Sequence, residues 1–424
     1  MIKSRRKWPV LLVCMLMTLV FGANIAVVVW QKGVEKQMPQ EDEVLPRIEI
    51  SLWEISLEEL NAGSKEEKYP GNTVQVVDGG VIAEYSEVEI KGRGNSTWWQ
   101  KKNPYQIKFD QKVDLFGMGK AKKWVLLANY FDDSNLRTDL AFYLEQLLGE
   151  PYALTGEFVE LSIDGEDLGL YYLGPKVEIG KTRIDLRDPL GLLVEMDNLH
   201  KEEEHFSVEK NCLQVKDVVA KDSEALAVEI FADDLELLMA AARKKDLAAM
   251  AEVADLDSIV RYYLLSECTT NPDAYSSSFF MYKDGAEDKI HFGPGWDFDF
   301  SLGNKRWVWG PHEDFYSPYE LSIAEYYGPD GKNEVPWLVN SEEFQELVGE
   351  LYRGKLMSKR EEVLDYLDNQ AMRIWAVAVD DAEKWESDFA EELDYLREWV
   401  MRRFDFFDEI YGGMGELSDL RAEM

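Results

Sequence analysis

Two aspartates two positions apart, Asp297 and Asp299, lie in an aromatic stretch at residues 292–304. In an extended chain, side chains at i and i+2 share one face, so both carboxylates can reach a single ion. Carboxylate oxygens suit Mg²⁺ or Mn²⁺, and such an ion offsets the cost of burying the charges. The spacing therefore indicates a metal site. It is equally compatible with two carboxylates that pair with arginines or cap the following turn.

A third acid, Asp273, follows Asn271 and Pro272 at the junction between a predicted apolar helix and a predicted strand. An acid at such a junction often only closes a turn or caps a helix. The chemical alternative is a general base, or a carboxylate that orients a hydroxyl nucleophile. The local sequence leaves both interpretations open.

A glycine-rich turn after a predicted strand contains Arg93 and Ser96, and the segment that follows it adds Lys102 and Lys108. Glycines let a backbone approach phosphate oxygens closely, and arginine or lysine supplies the compensating charge. The pattern thus fits a phosphate-binding turn. A glycine-rich hairpin turn without a ligand is the alternative.

The elements that must position these residues change type along the chain. Residues 47–200 contain short alternating strands, and residues 201–412 show the apolar spacing of helices. Strands first and helices later predict an α+β fold, with a mostly antiparallel N-terminal sheet lobe and a C-terminal helical lobe. The three aspartates fall in the helical lobe. Residues 413–424 are predicted to form a flexible tail.

Two local signals within the sheet lobe are more specific. Asp164-Gly165 between two strand patterns predicts a type I′ hairpin. The one helix in this lobe is predicted to start at Ser134, as its N-cap, and to stop at Gly149.

The N-terminus predicts a membrane anchor. Residues 8–30 carry no charge, and at the helical rise they span roughly 35 Å, enough for a bilayer core. Four cations within residues 1–7 place that end in the cytoplasm, so the body is expected outside the membrane, after a linker at residues 31–46. A cleaved signal peptide is the rival interpretation.

The charge of the chain restricts its partners. There are 46 Lys and Arg against 82 Asp and Glu, which gives a net charge of −36. Such a chain repels phosphate backbones, so no nucleic-acid partner is expected. With 46% apolar residues the chain is not disordered, and its three cysteines show no zinc-binding spacing.

At these segments the sequence resembles the spore coat protein H (CotH) kinase family, exported bacterial proteins with a distantly protein-kinase-like fold. The matching segments run in family order over residues 48–304. They are residues 93–96 with Lys102 and residues 105–109, residues 124–127 with 132–137, and residues 169–172, 192–197, 271–273 and 293–304.

The resemblance implies a role for each acid. Asp273 corresponds to the catalytic-loop aspartate that orients the accepting hydroxyl. Asp297 corresponds to the metal-binding aspartate, and Asp299 is a second candidate ligand. The implied cofactors are ATP and Mg²⁺, or Mn²⁺ in its place.

The resemblance also implies roles for the cations of the glycine-rich segment. Lys108 is the candidate for the lysine that contacts phosphate, and Lys102 is its rival. Arg93 and Ser96 are expected near the nucleotide.

Two positions depart from the family pattern. Ser278 stands where many members have an asparagine that binds a second metal ion, and Asp299 can compensate for it. Pro175 stands where many have a glutamate that pairs with a lysine, and Glu178 or Glu195 can replace that acid.

The resulting prediction is a membrane-anchored, extracytoplasmic, CotH-like protein kinase. It transfers the γ-phosphate of ATP to Ser or Thr of a surface or spore-coat protein. A non-catalytic envelope scaffold with a kinase-like fold is the alternative. A metal-dependent glycosyltransferase, in which Asp297 and Asp299 form a DxD motif, is the third interpretation.

Overall fold

The computed structural model describes residues 44–198, 205–306, 317–321 and 341–413. The described residues from Leu45 onward group into one compact unit. Within the described ranges, no helix is both long enough and apolar enough to cross a membrane. The predicted anchor at residues 8–30 lies outside those ranges, as do most of the predicted linker and tail.

Seven strands form a closed barrel in the order β1-β2-β3-β4-β5-β7-β6. All neighbours are antiparallel except β1 and β6, which pair in parallel and close the barrel. Alternate residues of each strand point inward, as the pleat requires, and fill the interior with a single apolar core. The strands are β1 (Arg47–Ser51), β2 (Tyr69–Asp78), β3 (Val81–Gly92), β4 (Tyr105–Asp114), β5 (Lys120–Leu127), β6 (Glu157–Ile163) and β7 (Glu166–Pro175).

Local turn chemistry sets two features of the barrel. Asp164 and Gly165 have φ angles of 52° and 79°, as a type I′ turn requires, so the hairpin prediction is confirmed. The glycine-rich turn after β3 begins at Gly92, where the buried Trp98 ring lies so close that an added Cβ would stand 2.5 Å from it. The turn is therefore packed against the barrel core.

A second, five-stranded antiparallel sheet follows, in the order β12-β11-β8-β10-β9. Its centre, β8, is buried along its whole length. The predicted boundary at residue 200 falls within this sheet, because β8 pairs with strands beyond that point. The strands are β8 (Leu192–Met196), β9 (Phe206–Val208), β10 (Asn211–Val218), β11 (Phe279–Lys283) and β12 (His291–Phe292).

The helices lie mainly in the C-terminal half, so the α+β class with a β-rich N-terminal region and a helical C-terminal region is confirmed. The last two long helices pack on each other, and the first of them also contacts β7 of the barrel. The helices are α1 (Leu57–Ala62), α2 (Arg137–Leu148), α3 (Glu224–Arg243), α4 (Leu247–Val253), α5 (Leu256–Thr269), α6 (Glu342–Lys355), α7 (Arg360–Trp385) and α8 (Phe389–Tyr411).

Helix α2 ends at Gly149, with φ 88°, as predicted, but its predicted N-cap is wrong. The helix starts at Arg137, and Asp132 Oδ2 accepts a hydrogen bond from the Arg137 N–H at 2.9 Å. Ser134 Oγ instead donates to Asp132 Oδ1 at 2.6 Å. A carboxylate has more acceptor positions than a hydroxyl, which lets Asp132 serve both groups.

Candidate active site

Asp273 lies on a tight loop between α5 and β11. Helix α5 stops at Thr270, which adopts the left-handed conformation with φ 47°. The Asn271 side chain then accepts a hydrogen bond from the Asp273 N–H at 3.0 Å, and the Asp273 carbonyl accepts from the N–H groups of Ser276 and Ser277 at 3.0 and 2.9 Å. These bonds fix the backbone and leave the Asp273 carboxylate for other contacts.

Asp297 and Asp299 lie on the loop that follows β12. Asp297 has φ 66°, a left-handed conformation that is uncommon outside glycine, and its side chain is exposed. Ser278 Oγ donates to Asp297 Oδ2 at 3.0 Å. The loop is anchored at its far end, where the Leu302 N–H donates to the carbonyl of Thr269 at 2.5 Å. Thus the end of α5 holds the loops of all three aspartates.

Helix α2 supports the same loop from the other side. The buried Glu145 accepts a hydrogen bond from the Gly295 N–H at 2.6 Å, and the Phe142 ring lies 6.1 Å from that of Trp296. Burial first, and then the charge of Glu150, raise the pKa of Glu145 to about 8. At neutral pH the Glu145 carboxyl group is therefore mostly protonated, and it holds the loop as a neutral group.

The charge of Asp297 reaches both of the other aspartates. Burial, and then the charges of Asp297 and Asp197, raise the pKa of Asp273 to about 8. Burial, followed by the charges of Asp297 and Asp273, holds the pKa of Asp299 well above its usual range. The structure thus brings together the three acids that the sequence singled out from two separate segments.

The donor set fits a divalent cation that arrives with phosphate. Among the described residues, no group of three or more His, Cys, Asp or Glu forms a complete metal site. Mg²⁺ commonly takes one or two carboxylates and fills its other positions with substrate phosphates and water. Asp297 and Asp299 supply two such carboxylates, and a cation there would relieve the repulsion that raises the pKa of Asp299.

Arg93, from the glycine-rich turn, lies next to these acids. Its guanidinium stacks over the Trp296 ring, 5.2 Å from the ring centroid. Burial lowers the pKa of Arg93 to about 10, and the charges of Asp297 and Glu195 act against that shift. Its Nη1 atom is buried and has no hydrogen-bond partner within the described part of the chain. Arg93 therefore lies near the metal-binding candidate Asp297, whereas Ser96 is exposed on the turn. Their expected place near the nucleotide stays a prediction.

The two lysines of that segment have different surroundings. Lys102 is 2% exposed and its ammonium contacts both carboxylate oxygens of Asp381 on α7, at 2.8 and 2.9 Å, and the Leu170 carbonyl at 2.6 Å. Lys108 points outward from β4, is 40% exposed at its side chain, and has Glu89 at 3.8 Å. Lys102 therefore joins the barrel to α7, and Lys108 lies on the outer surface of the barrel.

Lys176, which the sequence reasoning missed, lies near Arg93, and Lys123 and Lys216 lie near Lys176. Lys176 follows β7, Lys123 is on β5, and Lys216 is on β10 of the second sheet. Burial, followed by the charges of Lys123, Lys216 and Arg93, lowers the pKa of Lys176 to about 8, and the charge of Glu178 acts against that shift. No motif marks these lysines, because pairing of β5 with the end of β7 brings Lys123 to Lys176, and only the second sheet brings Lys216 to them.

Both acids proposed to replace the missing glutamate at Pro175 form ion pairs with lysines. Glu178 pairs with Lys123 at 2.9 Å, and Glu195 pairs with Lys216 at 2.6 Å. The charge of Asp297 also acts on Glu195. Cations and acids therefore meet in one region between the barrel and the second sheet.

One family model matches most of the chain. The family model described as CotH kinase protein matches residues 90–407, about three quarters of the chain. The matched range contains the catalytic, metal and nucleotide candidates, including Arg93, Asp273 and Asp297. No curated protein matches the chain.

Proposed function

The chain belongs to the CotH kinase protein family, and we propose that it is an ATP-dependent protein kinase. In this proposal it transfers the γ-phosphate of ATP to a Ser or Thr hydroxyl of a surface or spore-coat protein. The fold is distantly protein-kinase-like, with the nucleotide between the barrel and the second sheet. The observation that carries the proposal is that the end of α5 holds both aspartate loops, with the Leu302 N–H donating to the Thr269 carbonyl and Ser278 Oγ donating to Asp297 Oδ2. The charge of Asp297, which acts on Asp273 and on Asp299, supports the same convergence.

The two aspartate loops have separate roles in this mechanism. Asp297 and Asp299 would hold Mg²⁺ or Mn²⁺, which would supply positive charge at the phosphate oxygens. Asp273 orients the acceptor hydroxyl and receives its proton. The acceptor oxygen forms a bond to the γ-phosphorus, the bond to the β–γ bridging oxygen breaks, and ADP leaves.

The raised pKa of Asp273 is consistent with this role. A group with a pKa of about 8 is largely protonated at neutral pH and accepts no proton. Positive charge at the neighbouring carboxylates favours its ionised form and lowers that pKa. Asp273 is therefore expected to become a competent base only when the metal–nucleotide complex is present.

The N-terminal sequence supports a proposed location for the body. Residues 8–30 are proposed to anchor the chain in a membrane, with residues 1–7 in the cytoplasm and the body on the extracytoplasmic side. Substrates are then proteins of the envelope or coat. The strong negative charge of the chain favours basic acceptor segments.

The test is phosphate transfer by the purified full chain in detergent. With labelled ATP and Mg²⁺ or Mn²⁺, wild type is expected to label itself or a basic acceptor protein. Asp273→Asn and Asp297→Asn are expected to lose that labelling while they keep the wild-type melting temperature. Full transfer by Asp297→Asn would refute the metal assignment.

Two outcomes of the same assay favour the other interpretations. If wild type transfers nothing and ATP with metal does not change its melting temperature, the envelope scaffold is the better description. Ser278 and Pro175, which depart from the family pattern, are the observations behind that alternative. Stabilisation by a UDP-sugar but not by ATP would favour a DxD glycosyltransferase, although the described sheets are a barrel and an antiparallel sheet rather than a doubly wound one.

A further inference from the structure

We propose that Lys176, together with Arg93, forms the subsite that binds the polyphosphate tail of the nucleotide. This inference rests on the proposed kinase function and deepens it. It assigns the phosphate contact to a lysine at the end of β7 instead of to Lys108 or Lys102 in the glycine-rich segment.

The strand register places Lys176 at the edge of a row of outward side chains. Glu89 faces Lys108, and Lys108 faces Lys123, across three neighbouring strands. Trp124 faces Pro175 on the next strand, so Lys123 and Lys176 occupy the following pair of positions. With strands about 4.8 Å apart, the backbones at Lys108 and Lys176 are roughly 10 Å apart, on opposite sides of Lys123.

The second sheet lies near the Lys176 end of this row. Lys216 of β10 lowers the pKa of Lys176, and Glu195 of β8 acts on Arg93. Asp297 acts on both Arg93 and Glu195. A phosphate chain bound to a metal at Asp297 would therefore pass the guanidinium of Arg93 and the ammonium of Lys176.

Most cations around this region already have an acidic partner within ion-pair distance. The pairs are Lys91 with Glu66 at 2.8 Å, Lys123 with Glu178 at 2.9 Å, Lys216 with Glu195 at 2.6 Å, and Lys102 with Asp381 at 2.8 Å.

Arg93 and Lys176 differ from these neighbours. Neither the guanidinium of Arg93 nor the ammonium of Lys176 makes a hydrogen bond or an ion pair with any residue of the described ranges. Both side chains are half-buried. Two desolvated cations side by side repel each other, and an anion between them removes that repulsion and completes their hydrogen bonds.

The charge of this subsite matches a polyphosphate. A nucleoside triphosphate has several anionic oxygens along its phosphate chain. Some of these oxygens can bind the metal, and others can bind Arg93 and Lys176. Inorganic triphosphate shares that chemistry without the base and sugar. Binding of the two compounds therefore separates the phosphate contacts from the contacts to the nucleoside.

Calorimetric binding by the full chain, in detergent and with Mg²⁺, tests the assignment. The ligands are inorganic triphosphate and a non-hydrolysable ATP analogue. Lys176→Gln is expected to weaken the binding of both ligands by roughly 10–100-fold, the usual effect of losing one charge-assisted hydrogen bond. Lys108→Gln, the matched control, is expected to stay within about twofold of wild type, since its ammonium lies outside the subsite, and Lys176→Arg is expected to restore most of the affinity.

A chemical measurement tests the same residue without substitution. Because its pKa is lowered, Lys176 has more neutral amine near pH 8 than an ordinary lysine, so it should be acylated ahead of Lys108. Triphosphate should protect Lys176 and leave Lys108 unchanged, as followed by peptide mass spectrometry.

The outcomes separate this inference from the proposed function. If Lys176→Gln binds triphosphate as wild type does while wild type still transfers phosphate, the subsite assignment fails and the kinase stands. If Lys176→Gln loses triphosphate binding but wild type transfers nothing, the subsite stands and the kinase proposal fails. Absence of triphosphate binding by wild type overturns the inference outright.

Discussion

Ser278 Oγ donates a hydrogen bond to Oδ2 of Asp297 across 3.0 Å, and so joins the segment after the catalytic-loop candidate to the metal-loop candidate. Both residues adopt left-handed backbone conformations, with φ 52° and 66°. Two non-glycine residues in that region, in contact with each other, hold a conformation that costs free energy locally. The contact therefore orients the Asp297 carboxylate, although serine is a poor metal ligand.

The metal dependence of nucleotide binding should change when Ser278 is substituted. Ser278→Ala removes the donor that orients Asp297, and the Mn²⁺ concentration for half-maximal binding of an ATP analogue should rise roughly tenfold. Ser278→Asn adds an amide oxygen and should lower that concentration. The measurement is a metal titration followed by nucleotide-dependent melting. Equal titration curves for all three proteins would show that the contact has no part in metal binding.

The buried Lys102–Asp381 pair should be important for stability. Lys102→Met leaves the Asp381 carboxylate buried without its ammonium partner and should lower the free energy of unfolding by about 3–5 kcal/mol. Urea denaturation gives this value. The adjacent pair of Lys101 with Glu386 is exposed on both sides and provides the control, because Lys101→Met should leave stability almost unchanged. A similar loss in both variants would contradict the importance of burial.

Glu145 should make stability fall as pH rises. Its folded pKa of about 8 lies above the ordinary glutamate value of 4.5, so between these values the folded state binds more protons than the unfolded state. The unfolding free energy therefore decreases over this interval. Glu145→Gln keeps an acceptor for the Gly295 N–H and removes the titration, so above pH 8 it should be more stable than wild type by up to about 5 kcal/mol.

Denaturation curves at pH 5, 7 and 9 measure that effect. The gap between Glu145→Gln and wild type should widen with pH. Glu346→Gln, at an exposed position on α6, is the control, and its unfolding free energy should differ from that of wild type by the same amount at each pH. A constant gap for Glu145→Gln would mean that its carboxyl does not titrate in this range.

The Gly92 contact should limit substitution in the glycine-rich turn. Gly92→Ala places a Cβ 2.5 Å from the Trp98 ring, and the ring must move within a packed core, at a cost of about 1–3 kcal/mol. Gly354, which has no atom within 4 Å of an added Cβ, is the control, and Gly354→Ala should be neutral or stabilising because alanine favours a helix. Thermal melting distinguishes the two variants, and equal melting temperatures would count against the packing argument.

Much of the fold follows from local sequence patterns. Alternation identified the strand cores around Ile107 and Leu161, and positive-φ turn residues identified the hairpin at Asp164. Closure of the barrel was not predictable in this way, because β1 pairs in parallel with β6 more than a hundred positions later. The start of α2 was placed at the wrong residue because Ser134 fits the cap pattern. In the structure the carboxylate of Asp132, not Ser134, accepts the hydrogen bond from the Arg137 N–H.

The site residues differ in the same way: some could be predicted from local sequence, and others could not. Asp273, Asp297 and Arg93 lie in short motifs, and the sequence singled them out. Lys102 also lies in such a motif, but its partner is Asp381, 279 residues away. Lys176 carries no motif at all, and its environment depends on three other elements. A side chain whose surroundings come from distant elements cannot be assigned from its own neighbours in the sequence.

The pairing of Lys102 with Asp381 also affects the biosynthesis of the chain. The barrel strands emerge from the ribosome first, yet the carboxylate that neutralises their buried lysine is translated only near the C-terminus. A nascent chain that lacks α7 must either keep the Lys102 ammonium hydrated or bury it uncompensated. Premature termination upstream of residue 381 should therefore produce a fragment recognised by quality-control proteases, even though all seven barrel strands are complete.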